Sequence, residues 1–136
     1  MASRSLKDLH PQVQLKAEQF INECDKAGID ILIYCTLRSK EEQDELYKIG
    51  RSLPGKIVTY ARGGYSYHNY GLAFDWVPLI GGKPAWNDTA LYARAGIIAE
   101  GLGLEWAGRW TGKLKETAHC QYTMGQTIEK LLKEAK

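Results

Sequence analysis

The chain has 136 residues, enough for one domain whose hydrophobic core needs no disulfide or metal staple. Hydrophobic residues make up 44% and charged residues 25% of the sequence, which excludes wholesale disorder. Basic residues number 18 and acidic residues 16, and the net charge of +2 is too balanced to indicate binding to nucleic acid or to a membrane surface.

The N-terminal segment contains no apolar run of signal-peptide length, and no stretch of the sequence is long enough to span a bilayer. We therefore expect synthesis in the cytosol without a cleaved export signal. The three cysteines, Cys24, Cys35 and Cys120, are too few and too widely spaced for a disulfide framework. Each falls at an apolar position of an element predicted below, so we expect three buried free thiols.

The chain begins with a predicted helix followed by a strand. Pro11 is favoured in a first helical turn and Gly28 just after a last one, so we expect a helix between them. Residues 29–38, IDILIYCTLR, are rich in branched and aromatic side chains and predict a strand. Alternation places Ile31, Ile33, Cys35 and Leu37 on one face and Leu32, Tyr34, Thr36 and Arg38 on the other.

A second helix follows directly. Ser39 and Glu42 have the spacing of a capping box, and Gly50 is expected to end the helix. The side chains expected to face inward from it are Leu46 and Tyr47. Residues 51–70 then form a long connection, and a connection of that length in a small domain is typically functional or disordered. Its tyrosines either line a substrate groove or brace the loop.

The second half of the chain adds strands and two more helices. In order, we predict a strand at 71–79, a turn at 80–84, a helix at 87–103 capped by Asn87 or Asp88, short strands at 104–108 and 118–122, and a helix at 125–136. These elements predict an α+β fold, with helices packed on one face of a small, mostly antiparallel sheet.

Strand alternation also separates an apolar face from a face that carries chemical groups. Asp75, His119 and Arg38 each lie on the polar face of a different predicted strand. His68 lies in the loop before the Asp75 strand, where Gly71 allows the chain to bend so that imidazole and carboxylate converge. The sequence therefore predicts that these groups meet on the sheet face opposite to the helices.

Two imidazoles and one carboxylate, with room for a water molecule, are a ligand set typical of catalytic zinc. We therefore expect His68, Asp75 and His119 to bind Zn²⁺. Glu116, three residues before His119, is the candidate general base. Arg38 is the candidate cation for a developing oxyanion.

Each of these residues also has an ordinary structural explanation. A single histidine is more often a surface or core residue than a ligand, and His10 is assigned a structural role only. Asp75 could accept a backbone N–H at a strand end, and Glu116 lies in a charged segment typical of solvated surface. We prefer the metal site because the ordinary explanations require four coincidences on matching faces.

The segment SYHNYGLAFDW, residues 66–76, resembles the S-x-H-x-x-G-x-A-x-D signature of the LAS-type zinc metallopeptidases. That superfamily includes the D-alanyl-D-alanine carboxypeptidases, VanY and VanX-type enzymes and the hedgehog amino-terminal domain. The segment ETAHCQ, residues 116–121, resembles the late segment that carries the base and the last histidine. Residues 36–75 are similar to the L-alanyl-D-glutamate endopeptidases of phage endolysins and bacterial wall hydrolases.

The resemblance implies a role for each matched residue. It implies zinc ligands at His68, Asp75 and His119, a base at Glu116, a contact to the substrate carbonyl at Arg38 and a supporting role at Ser66. Cys120 departs from the pattern, since an aromatic residue often follows the histidine. Relatives often carry a separate wall-binding domain, whereas we expect residues 1–136 to form a single catalytic domain without one.

These observations predict a zinc-dependent peptidoglycan endopeptidase, an endolysin that cleaves the L-alanyl-D-glutamate bond of the peptide stem. We expect a monomer that binds this stem, that binds neither nucleic acid nor a membrane stably, and that stays in the host cytoplasm until lysis. One alternative is a D,D- or L,D-carboxypeptidase of the same family, in which Arg38 or a loop cation, Lys56 or Arg62, could meet a terminal carboxylate. The other is a non-catalytic zinc-stabilised binding module, which Glu116 and Arg38 disfavour because a structural zinc site needs no base.

Overall fold

The computed structural model describes residues 2–134 of the chain. Within this range the α-helices are α1 (Pro11–Lys26), α2 (Lys40–Lys48), α3 (Thr89–Gly101) and α4 (Ile128–Glu134). The strands are β1 (Asp30–Cys35), β2 (Ala73–Ile80), β3 (Lys83–Pro84), β4 (Glu105–Trp106) and β5 (His119–Gln121). Short 3₁₀ helices lie at Leu6–Asp8, Tyr67–Tyr70, Ala107–Arg109 and Gly112–Leu114. None of the helices in residues 2–134 combines the length and the apolar character needed to cross a membrane.

The strands form one antiparallel sheet in the order β1-β2-β5-β4, and the two-residue strand β3 pairs with the end of β2. Strand β2 is central and buried along most of its length. Its register against β5 sets Asp75 directly opposite His119. The predicted α+β fold with a small antiparallel sheet is confirmed, and the sheet register already brings two candidate ligands together.

Helices α1 and α3 cover one face of the sheet. Phe20 of α1 packs edge-on against Trp76 of β2, with ring centroids 5.0 Å apart. Gly96 allows α3 to lie directly on Trp106, because a Cβ atom at this position would come within 2.3 Å of the indole ring. The side chains that these helices bury in the core are Val13, Ala17, Phe20, Cys24, Tyr92, Ala95 and Ala99. The helices thus occupy one face, as predicted, and leave the other face to polar groups.

Strand β1 ends earlier than predicted. It stops at Cys35, because the residues that follow pair with the N-terminal segment instead of with β2. The backbone N–H of Thr36 donates to the carbonyl of Ser3 at 2.8 Å, and the N–H of Ser3 donates to the carbonyl of Leu37 at 2.9 Å. Arg38 therefore lies on the connection to α2, and its predicted place on a strand was wrong.

A β-bulge changes the face on which Cys35 lies. The register of β1 against β2 shifts between Ile33 and Cys35, so that Cys35 pairs with Asp75. Directly paired residues of neighbouring strands point to the same face. Cys35 therefore points towards the polar face, and the prediction that it shares the apolar face of Ile33 was wrong. Cys24 and Cys120 are buried in the core, as expected.

Helix α2 begins with the predicted capping box. The Ser39 hydroxyl oxygen accepts the N–H of Glu42 at 3.0 Å, and the Glu42 carboxylate accepts the N–H of Ser39 at 3.2 Å. The side chain that this helix buries is the polar Gln43, whereas Leu46 and Tyr47, predicted to face inward, are only half-buried. A buried amide must find hydrogen-bond partners, and those of Gln43 lie in the site described next.

Candidate metal centre

Two imidazoles converge on one oxygen of the Asp75 carboxylate, on the sheet face opposite α1 and α3. Oδ1 of Asp75 lies 3.0 Å from Nε2 of His68 and 3.2 Å from Nδ1 of His119. All three residues are buried, with exposed fractions of 8% for Asp75, 3% for His68 and 7% for His119. A buried carboxylate needs a compensating positive charge or hydrogen bonds. The chemistry of this donor set, two imidazole nitrogens and a carboxylate, suits a metal cation.

His68 is placed by a tight turn. The Ser66 hydroxyl oxygen accepts the N–H of His68 at 3.2 Å, and Oδ1 of Asn69 accepts the N–H of Ser66 at 3.2 Å. Gly71 ends the turn with a φ of +70°, and a Cβ atom there would come within 3.1 Å of the backbone nitrogen of His10. Ser66 and Gly71 therefore determine the backbone path that carries His68 towards Asp75.

Second hydrogen bonds determine which nitrogen of each histidine faces Asp75. Nδ1 of His68 lies 2.9 Å from the carbonyl oxygen of Thr36, so Nδ1 carries a proton and Nε2 is directed at the carboxylate. His119 has the opposite arrangement, because its Nε2 lies 2.8 Å from Oε1 of Gln121 and its Nδ1 faces Asp75. Metal-ligating histidines are usually oriented by a second hydrogen bond of this kind.

The positive charge of His68 and the negative charge of Asp75 stabilise each other. Burial opposes a charge on His68, but the Asp75 carboxylate outweighs it and raises the pKa of His68 to about 10. Burial likewise favours a neutral Asp75, but the charge of His68 and the hydrogen bonds from both imidazoles hold the pKa of this carboxyl well below its usual range. The carboxylate is therefore ionised and attracts positive charge to the cluster.

Arg38 reaches the cluster from the connection that precedes α2. One guanidinium nitrogen lies 3.8 Å from Oδ2 of Asp75 and donates to Sγ of Cys35 at 3.2 Å. The other donates to Oε1 of Gln43 at 2.9 Å, and Nε2 of Gln43 in turn donates to the carbonyl of Ala61 at 2.8 Å. The buried Gln43 therefore joins Arg38 to the long connection between α2 and β2.

Glu116 lies beside the cluster, and it is exposed. One of its carboxylate oxygens is within 4.8 Å of ligand atoms of Asp75 and His119. Its backbone is held on both sides, because its N–H donates to the carbonyl of Ala107 at 3.1 Å and its carbonyl accepts the N–H of His119 at 3.3 Å. No side-chain hydrogen bond engages its carboxylate within residues 2–134, so the carboxylate is available to water.

The cluster and Glu116 line a groove of about 670 Å³. Residues 58–61 of the long connection contribute to its lining, and so do Trp110 and Leu114. Of the four tyrosines in the long connection, Tyr60, Tyr65 and Tyr67 line the groove, whereas the hydroxyl of Tyr70 donates to the carbonyl of Gly64 at 2.7 Å and braces the loop. The long connection is thus one wall of the groove, which explains its length.

Sequence reasoning assigned no role to Gln43 or Gln121. For Gln121 a signal existed, since strand alternation places it on the face of His119. For Gln43 the sequence contains no comparable signal, because its partners, Arg38 and Ala61, are brought to it by the path of the long connection. The structure therefore adds two amides to the set of site residues predicted from sequence.

Comparison with known proteins identifies a family and relatives in a bacterium and a phage. Residues 6–124 match the family described as VanY, D-alanyl-D-alanine carboxypeptidase, and this range contains every candidate site residue. The peptidoglycan L-alanyl-D-glutamate endopeptidase CwlK of Bacillus subtilis (strain 168) is 42% identical over 123 residues, covering 84% of this chain and 73% of that protein. The L-alanyl-D-glutamate peptidase of Listeria phage A118 is 29% identical over 125 residues, which are 88% of this chain but 41% of the phage protein.

A similar fold occurs in a solved structure. The VanB-type vancomycin resistance D,D-pentapeptidase VanY, determined in complex with Zn(II), superposes with a TM-score of 0.63 at 15% sequence identity. The superposition covers 91% of this chain and 83% of that one. At 15% sequence identity this likeness is evidence for a shared fold and for nothing beyond the fold.

Proposed function

The chain belongs to the VanY family, described as D-alanyl-D-alanine carboxypeptidase, and we propose that within it the protein is a zinc-dependent peptidoglycan endopeptidase. Its bond is the one between L-alanine and D-glutamate in the peptide stem, for which the 42% identity to an endopeptidase of that specificity is support. The observation that carries the proposal is the convergence of two imidazoles on the Asp75 carboxylate, beside an unengaged Glu116, in one groove.

We assign the zinc ligands as Nε2 of His68, a carboxylate oxygen of Asp75 and Nδ1 of His119. Two nitrogens and one oxygen with a further position left for water are typical of catalytic zinc. The related VanY enzyme, which was determined with Zn(II), supports the choice of metal. Cys35 also has its Sγ within 4.8 Å of ligand atoms of His68 and Asp75. We leave Cys35 out of the set, because its Sγ is 3.8 Å from Nδ1 of His68, the nitrogen that is turned away from Asp75.

A zinc ion held there would act as a Lewis acid and would lower the pKa of a water molecule bound to it. Glu116 accepts a proton from the attacking water and returns it to the leaving amine. Arg38 presents its guanidinium beside Asp75, where it stabilises the oxyanion that develops on the scissile carbonyl. Because Gln43 holds this guanidinium in place, little reorganisation is needed during the reaction.

Charge along the groove favours an endopeptidase over a carboxypeptidase. A carboxypeptidase requires a cation for the terminal carboxylate of its substrate. Of the described residues that line the groove, Arg38 is the one lysine or arginine, and the proposed reaction uses it at the oxyanion of the scissile carbonyl. Neither Lys56 nor Arg62 lines the groove, and the guanidinium of Arg62 lies 5.0 Å from the ring centroid of Tyr65.

The proposed place of action is the bacterial cell wall, where the peptide stem is the partner. We propose an endolysin that stays in the host cytoplasm until lysis and acts as a monomer, and the phage relative supports this role. The expectation of a single catalytic domain over residues 1–136, without a wall-binding domain, stays a prediction.

Mass spectrometry of purified muropeptides after digestion identifies the bond. We expect products with a new N-terminal D-glutamate from the zinc-loaded protein and none from a matched Glu116→Gln variant. Release of free D-alanine without a new glutamate terminus would establish the carboxypeptidase alternative. Zinc binding without any product would instead favour the binding module.

A further inference from the structure

The register of the sheet builds a line of polar side chains that runs outward from His119. On β5, Gln121 lies two residues after His119 and on the same face. On the neighbouring strand β4, Glu105 pairs directly with Gln121. Neighbours along a strand face and across a strand pair are close in space. The line therefore follows from strand pairing and does not depend on a loop.

Hydrogen bonds connect these side chains into a network. Oε1 of Gln121 lies 2.8 Å from Nε2 of His119, and Nε2 of Gln121 donates to Oε1 of Glu105 at 3.3 Å. The indole N–H of Trp110 donates to the second oxygen of Glu105 at 2.9 Å. The Trp110 ring also lies 5.8 Å from the imidazole of His119, centroid to centroid. Both oxygens of the Glu105 carboxylate are thus engaged.

The ionised carboxylate at the end of the network sets the direction of every bond in it. A carboxylate only accepts, so the NH₂ group of Gln121 must face Glu105 and its carbonyl oxygen must face His119. That carbonyl oxygen also only accepts, so Nε2 of His119 must carry the proton. Nδ1, the nitrogen that faces Asp75, is therefore the one that can give up its proton and ligate a metal.

We propose that Glu105, acting through Gln121, is a positioning residue that holds His119 as an Nδ1 ligand and strengthens zinc binding. The negative charge of Glu105 polarises the Gln121 amide, and the polarised amide oxygen strengthens the hydrogen bond that fixes the orientation of the His119 ring. The inference rests on the proposed role of His119 as a zinc ligand. Glu105 is not itself an alternative general base, because its oxygens are engaged and it does not line the groove.

The first test is zinc affinity, measured by competition with a chromophoric chelator. We expect Glu105→Gln to weaken zinc binding by about tenfold and Gln121→Leu by about ten- to a hundredfold, as for other hydrogen-bond partners of ligating histidines. The matched control is Glu100→Gln, since the Glu100 carboxylate pairs with Arg109 away from the site. This control should bind zinc as tightly as the wild type.

The double variant shows whether Glu105 affects zinc binding through Gln121 or whether the two residues affect it independently. If Glu105 acts only through Gln121, adding Glu105→Gln to Gln121→Leu weakens zinc binding no further. Two effects that add, or an unchanged affinity in Glu105→Gln, would overturn the proposal. Because Glu105 is exposed, its variant tests the proposal even where Gln121→Leu does not fold.

Long-range ¹H–¹⁵N spectra of the zinc-loaded protein are the second test. We expect the proton of His119 on Nε2 in the wild type, and a proton on Nδ1 would overturn the proposal. If the wild type binds no zinc, the proposed metal centre fails and this inference fails with it. If the wild type binds zinc and Glu105→Gln binds it equally well, only this inference fails.

Discussion

The two halves of the candidate site are built in different ways. The ligand half, His68, Asp75 and His119, is buried and is held by strand pairing and by second hydrogen bonds on both imidazoles. The substrate half, made of Glu116 and residues 58–61, lies in segments without helix or strand. Glu116 is exposed, and its side chain has no hydrogen-bond partner in the part of the chain that the structure describes.

This difference matches what each half has to do. A metal binds tightly when its ligands are already in place, so rigid positions and oriented imidazoles favour the ligand half. A general base must exchange protons with water and with the leaving group, so it requires access to solvent. Gln43 connects the halves, because it bonds both to Arg38 beside the ligands and to Ala61 in the groove wall.

Removing a side chain of the ligand half should have the largest effect on zinc content and on activity. His68→Ala removes the Nε2 atom directed at Asp75, so we expect zinc to fall from about one ion per chain to almost none and wall digestion to be lost. Elemental analysis and the clearing of a wall suspension measure the two outcomes. The control is His10→Ala, which removes the side chain that caps α1 but keeps the backbone N–H that donates to Gly71, and it should keep both zinc and activity. Full zinc content in His68→Ala would remove His68 from the ligand set.

Breaking the substrate half at Glu116 should separate catalysis from metal binding. Glu116→Gln keeps the shape of the side chain but cannot accept a proton, so we expect a loss of turnover of about a hundredfold to ten-thousandfold. Zinc content should stay at the wild-type level, unlike in His68→Ala. Turnover is measured from the release of new amino termini, with Glu45→Gln on the exposed face of α2 as control. Turnover near that of the wild type would mean that another group is the base.

Removing the Gln43 hydrogen bonds that join the two halves should have a smaller effect on activity and should also lower stability. Gln43→Leu leaves the Arg38 guanidinium and the Ala61 carbonyl each without one partner, and burying unpaired groups costs about 1–3 kcal/mol in the free energy of unfolding. We also expect kcat/KM to fall about tenfold, because Arg38 is less well oriented.

Urea denaturation and steady-state kinetics test this prediction, with the exposed Gln12→Leu as control. Zinc content should not change in either variant. A Gln43→Leu protein with wild-type stability and kcat/KM would show that the two halves are held independently.

The smallest effect on function is expected at Cys35, which borders the ligand half without belonging to it. Cys35→Ser keeps an acceptor for Arg38, so zinc affinity should stay within about threefold, or less than 1 kcal/mol. Cys24→Ser is the contrasting control, because its hydroxyl would be buried in the apolar core and should lower stability without changing zinc affinity. A loss of zinc affinity of several orders of magnitude in Cys35→Ser would make Cys35 a ligand.

Local patterns predicted much of the fold and the members of the cluster. Alternation along single strands was sufficient to place Asp75 and His119 on one face, since each strand carries this information in itself. The bulge that turns Cys35 towards Asp75 depends on how two strands align, and no single strand encodes that alignment. The same is true of Glu105 and Gln121, which are 16 residues apart in sequence and meet only through strand pairing.

The sequence distances within the cluster have a consequence for the order of assembly. His68 and Asp75 are 7 residues apart, whereas Asp75 and His119 are 44 residues apart and meet only when β5 joins β2. Contacts distant in sequence generally form more slowly than local ones. The complete set of ligands therefore does not exist in a folding intermediate that lacks β5. If zinc binds at this cluster as proposed, its uptake during refolding would report the moment at which the two strands pair, after the local structure has formed.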